Sequence, residues 1–329
     1  MSRHKEQGEE MIRRLQYKIE DRHSGKSIGM FLKEKEYSRA VIIELKKTKT
    51  GIRKNGIWAG VNEIIKTGDI LDICLSEQET SENIVPRKCA FDILYEDEDI
   101  LVVNKPCDTP IHPSVNNYDN TLANGVMYYY KEQNKPYVFR CINRLDRDTT
   151  GVTIIAKNLI SASILSKRMK ERGLSRTYVA FVEGVTREEG TIDLPIGREE
   201  GSIIKRKIDD KEGKHAVTHY HRLEVFHVEG KAVSVVALQL DTGRTHQIRV
   251  HMAAIGHPLL GDFLYNENNH MLTRQALHAA ECTFNHPITG EYMKVTAPLH
   301  KDMEMLIQPL PDENTKLSGL LSKLQEIKW

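Results

Sequence analysis

The chain has 329 residues, of which 40% are hydrophobic and 28% are charged, so it can form one large domain and a small one, each with a core. No run of 18 apolar residues occurs and the first 25 residues are rich in charge, which predicts neither a membrane span nor a secretory signal. We therefore expect a cytoplasmic protein. The formal net charge of +1 does not by itself indicate a polyanionic partner.

The first segment, residues 1–75, is expected to begin with an extended, flexible polar stretch. A helix is predicted at 27–35, and a second begins at Ser38 as N-cap and runs to Lys47. Short strands are predicted around 51–59 and 69–75. The polar residues 76–88 contain a proline and predict a linker.

From Cys89 onward, strand-like apolar runs alternate with helical patterns, which predicts a mixed α+β domain over 89–310 and a C-terminal tail over 311–329. Strands are expected at 100–103, 152–156, 178–182, 232–240 and 277–284. Helices are expected at 121–130, 159–172 and 245–255.

Cysteine and histidine spacing predicts no metal site. The five cysteines show no C-x-x-C pattern, which favours reduced thiols over a disulfide or zinc framework. His246 and His251 are separated by a spacing that places them about 140° apart on a helix. Neither a Walker pattern nor G-x-G-x-x-G occurs, so no nucleotide cofactor is indicated.

Two clusters of basic residues stand out against the balanced charge. One lies between positions 39 and 54, and the other between positions 167 and 176. The cations of the first are Arg39, Lys46, Lys47, Lys49, Arg53 and Lys54, with Glu44 as the single acid. Each cluster alone is as well explained by a solvated helix face, whereas two dense clusters together favour a nucleic-acid partner.

Residues 144–151 place two arginines, two carboxylates and two hydroxyls directly before a predicted apolar strand. Loops at the edge of a rigid core are where chemistry concentrates. Asp146 could act as nucleophile or base if Arg144 and the distant Arg249 keep it ionised. The alternative is a structural aspartate that caps the turn which follows it, and Asp148 is an equal competitor for the reactive role.

Two other segments carry polar groups suited to a site. In 242–251, Arg244 adds a donor, and His246 and Arg249 share one helix face at i, i+3. These residues suit either a phosphate cradle or an ion pair with a buried aspartate. Tyr178 begins a predicted strand, where it could be a packing residue or a ring that stacks on a base.

Four motifs in this order resemble the RluA-type pseudouridine synthases over roughly residues 90–300. They are 92–97 with 101–106 and 111–114, then 144–146 with 149–151, then 176–180, and finally 243–251 with 256–262. The resemblance implies a mixed, largely antiparallel sheet. It also implies that Asp146 is the catalytic carboxylate, that Arg249 is its ion-pair partner, and that Tyr178 stacks on the uracil.

The same resemblance implies cofactor-free isomerisation of uridine in structured RNA, either ribosomal RNA or tRNA, by a monomer. Arg144, Arg244 and His246 are then expected to bind substrate. The family usually has His where this chain has Asn143, so activity should persist while substrate positioning could differ. Competing interpretations are a non-catalytic RNA-binding protein and a hydrolase that uses Asp146 to release the base.

The N-terminal segment resembles the alpha-L RNA-binding module that many of these synthases carry. Ser38-Arg39 and Gly68-Asp69 fit the signature of that module, and 54–56 fits it approximately. The resemblance implies a small α+β RNA-binding domain in which Arg39, Lys46 and Lys47 contact RNA.

Overall fold

The computed structural model describes residues 11–77, 80–81, 83–115, 117–307, 317–327 and 329. Its N-terminal part is a four-stranded antiparallel sheet with strand order β1-β4-β2-β3, and two helices cover one face of this sheet. These elements are β1 (Met11–Lys18), α1 (Ile28–Glu34), α2 (Arg39–Lys46), β2 (Ile52–Lys54), β3 (Ile57–Trp58) and β4 (Ile70–Glu77). Both helices begin at the predicted positions, where the hydroxyls of Ser27 and Ser38 accept backbone N–H bonds.

The expected flexible N-terminal extension is wrong for residues 11–18, which form β1. Every residue of β1 has a partner in β4, and Leu15 and Tyr17 point into the core. Arg13 also faces inward, so a charged residue stands where the period-2 pattern of a strand would place an apolar one. It can do so because its guanidinium is paired with Asp99 at 2.6 Å.

The central sheet has nine strands in the described part of the chain, in the order β5-β6-β7-β14-β8-β13-β12-β9 with β15 beside β14. All neighbours are antiparallel except β7 and β14, which confirms the predicted largely antiparallel α+β fold. The strands are β5 (Asp92–Glu96), β6 (Ile100–Lys105), β7 (Thr150–Ala156), β8 (Leu174–Glu183), β9 (Glu189–Asp193), β12 (Val217–Val228), β13 (Lys231–Leu240), β14 (Leu277–Asn285) and β15 (Tyr292–Thr296). A separate hairpin consists of β10 (Ile196–Arg198) and β11 (Arg206–Ile208).

Five helices complete the described elements: α3 (Leu122–Lys131), α4 (Leu159–Lys170), α5 (Gln247–Ala254), α6 (Lys301–Ile307) and α7 (Leu317–Glu326). The predicted tail therefore contains a helix, and Leu324 packs on the core of the central sheet. The predicted linker begins too early, because β4 continues to Glu77, whose carboxylate accepts the backbone N–H of Leu159 at 3.0 Å. Within the described residues, none of the helices combines the length and apolarity needed to cross a bilayer.

The N-terminal sheet and the central domain share a hydrophobic core. Ile160 and Ile164 of α4 are buried among residues of α1, α2 and β4. Arg168 of α4 also pairs with Glu36, which lies between α1 and α2. The two parts are therefore packed together and not merely connected by the chain.

Candidate active site

The loop before β7 is anchored through its backbone carbonyls. Lys105 is fully buried at the end of β6 and donates three hydrogen bonds of 2.8 Å to carbonyls, one of them that of Arg147. Burial lowers the pKa of Lys105 to about 7, while three acceptors favour the ammonium form, which can donate to all of them. Arg274 donates to the carbonyl of Asp148 at 3.0 Å and is itself held by both oxygens of Asp302. Lys105 and Arg274 thus fix the backbone of the loop at Arg147 and Asp148.

Gly151 allows β7 to start close beside β14. Its φ is +111°, and a Cβ there would lie 2.2 Å from the carbonyl oxygen of Ala279. One residue earlier, the hydroxyl of Thr150 is 2.8 Å from Nδ1 of the buried His278. These contacts set where the loop ends.

Asn143 has a structural place in this loop. Its amide donates to the carbonyl of Val152 at 2.9 Å and accepts the N–H of Ile154 at 2.7 Å. The side chain is fully buried and faces β7, away from the cavity described next. Asn143 is not among the described residues that line that cavity, and its expected effect on substrate positioning stays a prediction.

A cavity of about 340 Å³ lies between this loop, β8 and the start of α5. It brings together six residues that the sequence predicted for the site: Arg144, Asp146, Tyr178, Arg244, His246 and Arg249. Asp146 is the single carboxylate among the described residues that line it. Asp148 is not part of the lining, and its carboxylate lies 3.6 Å from Arg147 Nε. The geometry thus separates the two competing aspartates.

The Asp146 carboxylate is 29% exposed and faces two cation-forming side chains of α5 and its N-cap. Its Oδ2 lies 3.5 Å from Arg249 Nη1 and 3.9 Å from His246 Nε2. The N–H of Thr149 bonds to the backbone carbonyl of Asp146 at 3.1 Å, not to its carboxylate. The carboxylate is therefore available to a molecule in the cavity. The expected pairing with Arg144 is not among the ion pairs of the described residues, and Arg144 is exposed.

Arg249 has a tighter partner than Asp146. Its Nε and Nη2 each lie 2.7 Å from an oxygen of Asp262, and both side chains are almost completely buried. Burial by itself lowers the pKa of Arg249, but the hydrogen bonds and charge of Asp262 outweigh it, so the net pKa is raised. The expected ion pair between Arg249 and Asp146 is present, but it is the looser of two contacts: Asp262 occupies the planar fork of the guanidinium, and only Nη1 reaches Asp146 at 3.5 Å.

His246 is held by Tyr265. The N-cap His246 has a left-handed backbone, φ +58°, and its Nδ1 lies 3.0 Å from the Tyr265 hydroxyl. That hydroxyl accepts the N–H of Arg206 at 2.9 Å, so its own proton is directed to Nδ1. Nε2 then carries the imidazole proton and faces Asp146. Burial lowers the pKa of His246, which favours this neutral form.

Tyr178 forms one wall of the cavity, and Arg176 lies on the same face of β8 two residues earlier. Burial raises the pKa of Tyr178, so its phenol remains protonated. Sequence reasoning placed Arg176 in a basic cluster but missed it as a cavity residue. Its i, i+2 spacing from Tyr178 was the available signal.

The N-terminal cations do not reach the cavity. Arg39 and Lys46 are exposed on α2, and Lys47 follows the helix as its C-cap, where its ammonium lies 2.6 Å from Glu44. Any role they have is in a separate surface.

Asp97, Asp99 and His286 are the described residues whose donor atoms come close enough to share an ion. Nδ1 of His286 accepts the N–H of Thr289 at 3.1 Å, so Nε2 carries the proton, 2.8 Å from Asp97 Oδ2. Asp99 is paired with Arg13 at 2.6 Å. Asp97 also accepts the N–H groups of Asp99 and Ile100, whereas Nε2 of His286 forms no hydrogen bond among the described residues.

The chain is similar in sequence to a family of known proteins. Residues 99–254 match a family model described as RNA pseudouridylate synthase. The chain is 39% identical to YjbO of Bacillus subtilis (strain 168), an uncharacterized RNA pseudouridine synthase, over 82% of this chain and 94% of that protein. The chain belongs to the RluA-type RNA pseudouridine synthases. The synthase is an isomerase, as the resemblance implied.

Two further comparisons extend this result. The synthase is 32% identical to ribosomal large subunit pseudouridine synthase D of Xanthomonas campestris pv. campestris, over 92% of this chain and 94% of that protein. Its fold matches the solved structure of human RNA pseudouridylate synthase domain containing 1, with a TM-score of 0.54 and 29% identity. That match covers 67% of this chain and 94% of the other.

We predict that Arg249→Ala destabilises the synthase by about 3–5 kcal/mol, because Asp262 would be left buried and unpaired. Arg249→Lys should recover only part of the loss, since an ammonium cannot make both bonds of the fork. Urea unfolding of the three proteins gives the free energies. An unchanged midpoint for Arg249→Ala would contradict this account of the pair.

A second prediction concerns pH. Burial lowers the pKa of His278 to about 4, so the native state binds this proton less readily than the unfolded chain does. Its contribution to stability is complete above about pH 6.5 and is lost as the pH falls towards 4. The change in the free energy of unfolding between pH 7 and pH 4 should therefore be about 3 kcal/mol smaller in His278→Gln than in the unmodified synthase. Equal pH dependence in the two proteins would refute this.

Proposed function

We propose that this synthase isomerises specific uridines of ribosomal RNA, with Asp146 as its catalytic carboxylate. One observation carries the choice of residue: Asp146 is the single carboxylate among the described residues that line the cavity, and it faces Arg249 and His246. Relatives from five bacteria named ribosomal large subunit pseudouridine synthase D support the substrate.

The reaction needs no external reagent. The bond between uracil N1 and the sugar C1′ breaks, the base turns, and a bond forms between uracil C5 and C1′. The proton on C5 leaves and N1 gains one, so the atoms of the RNA are conserved. A carboxylate can act as a nucleophile at the sugar carbon or as a base that takes a proton during this exchange.

The side chains around Asp146 suit these steps. Nη1 of Arg249 lies 3.5 Å from the carboxylate and can orient it, and the ring of Tyr178 offers a surface on which the uracil can stack. Arg144, Arg176 and Arg244 line the cavity and provide positive charge for phosphates near its opening. The target base must leave its helical stack, which costs a few kcal/mol, and stacking in the cavity offsets part of this.

The proposal includes the domain division expected from the sequence. Residues 1–75 act as an alpha-L-type RNA-binding module, 89–310 carry the catalytic site, and Arg39, Lys46 and Lys47 contact RNA. We propose that the enzyme is cytoplasmic and acts as a monomer: Asp146, Tyr178 and Arg249 meet in a cavity within a single chain.

We predict that Asp146→Asn abolishes isomerisation and leaves RNA affinity nearly unchanged, because it removes the reactive charge and keeps the shape. The assay is tritium release from RNA labelled at uracil C5, since the C5–H bond must break. Asp148→Asn is the matched control and should retain most activity, as its carboxylate is outside the cavity.

The same RNA distinguishes the competing reactions. Isomerisation releases tritium while the uracil stays attached to the RNA, a hydrolase would release free uracil, and a binding protein would do neither. Substantial activity in Asp146→Asn, or its loss in Asp148→Asn, would assign the reaction to another group.

We further predict that Arg39→Gln and Lys46→Gln each reduce the slope of log affinity against log salt by about one. Both cations are exposed on α2 and can reach phosphates. Point substitutions are preferable to deletion of the module, because deletion would expose Ile160 and Ile164. Turnover at saturating RNA is the control and should persist. Unchanged slopes would mean that these cations are only a solvated face.

A further inference from the structure

One face of the N-terminal sheet is left uncovered by the residues that the structure describes. Helices α1, α2 and α4 pack against the face that carries Leu15, Tyr17 and Ile73. The opposite face presents alternate residues of β1, from Ile12 to Lys18, and all four of these side chains are exposed. An antiparallel sheet with one buried face normally exposes polar residues on the other face. The residue types on this open face therefore indicate what it can bind.

A row of side chains crosses this open face from one edge to the other. The strand register pairs Gln16 with Asp72, Asp72 with Arg53, and Arg53 with Trp58. Residues that are directly opposite in antiparallel strands point to the same side of a sheet. Trp58 therefore lies on the open face beside Arg53, and it is 56% exposed.

The face is positively charged. Arg14, Lys18 and Arg53 are exposed, and none of them has a carboxylate within 4 Å among the described residues. The one acid in the row, Asp72, accepts a hydrogen bond of 2.8 Å from Gln16. Arg53 lies beside the exposed Trp58, and Arg14 and Lys18 lie on the opposite edge strand. Together they match the two needs of a single-stranded nucleic acid, which are charge for phosphates and a ring for a base.

We propose that this face, defined by Arg14, Lys18, Arg53 and Trp58, binds a single-stranded segment of the RNA substrate. Trp58 stacks on an unpaired base, Arg53 contacts a phosphate next to that base, and Arg14 and Lys18 contact phosphates farther along the strand, where it crosses to the opposite edge. A base inside a duplex is already stacked on both sides, so the face should discriminate against double-stranded RNA. The inference rests on the proposed function for the identity of the substrate as RNA, and it adds a surface separate from the cations of α2.

The chain offers a matched control in the neighbouring residue. Ile57 is more exposed than Trp58, at 74%, but its register partner is Lys54, so it lies on the other side of the strand. Ile57→Ala removes a similar apolar surface from the same edge strand without touching the open face. Trp58→Phe keeps an aromatic ring, and melting curves check that all variants fold.

The experiment measures RNA binding by the full chain in a Trp329→Phe background, where Trp58 is the remaining tryptophan of the two in the sequence. A single-stranded RNA dodecamer of mixed sequence should quench Trp58 fluorescence, and the matching duplex should not. The affinity of every variant is read from the anisotropy of the fluorophore-labelled single strand, because the Trp58 variants lack the reporting tryptophan. Trp58→Ala should weaken binding by about tenfold, Trp58→Phe by less, and Ile57→Ala hardly at all. Arg53→Gln should lower the salt slope by about one.

Two outcomes would overturn the inference. One is equal affinity of Trp58→Ala and the unmodified chain for the single strand, and the other is equal quenching by single strand and duplex. Tritium release at saturating RNA keeps this test apart from that of the proposed function. It should persist in Trp58→Ala, whereas its absence in the unmodified enzyme would refute the proposed function itself.

Discussion

The buried ion pair between Arg249 and Asp262 is the interaction on which the rest of the site depends. It joins α5 to the turn that follows residue 261, and both charges are removed from water. Asp262 also accepts the N–H groups of Leu264 and Tyr265, so the turn that carries Tyr265 is held by the same carboxylate. Because Tyr265 orients His246, one pair positions both groups that face Asp146.

The sequence predicts which residues form the site better than it predicts their ion-pair and hydrogen-bond partners. Asp146, Tyr178 and Arg249 lie in motifs whose local spacing is visible in the sequence, and the fold brings them to one cavity. The choice between Asp146 and Asp262 as the main partner of Arg249 is a tertiary property, because it depends on which carboxylate lies in the plane of the guanidinium. Asn143 shows the same limit: its neighbours in sequence line the cavity, yet its bonds go to β7.

The fold was predictable where burial imposes a clear period. The core strands β6, β7 and β13 are apolar runs, and all three were expected from the sequence. Strand β12 was not, since one of its faces is polar and a register shift between Arg222 and Glu224 interrupts the alternation. Strand β1 was missed because it reads as charged, although its inward arginine is neutralised by a carboxylate from the central domain.

The core that α4 shares with the N-terminal sheet has a consequence for substrate choice. A module on a loose tether samples many distances, and it raises local concentration without measuring anything. Here Ile160 and Ile164 are buried against the module, and Arg168 is bonded to Glu36, so the two parts are packed as one body. If the module binds RNA as proposed, its distance from the cavity is fixed, and the enzyme would then select an RNA by the distance between its uridine and this second contact, whatever the sequence between them.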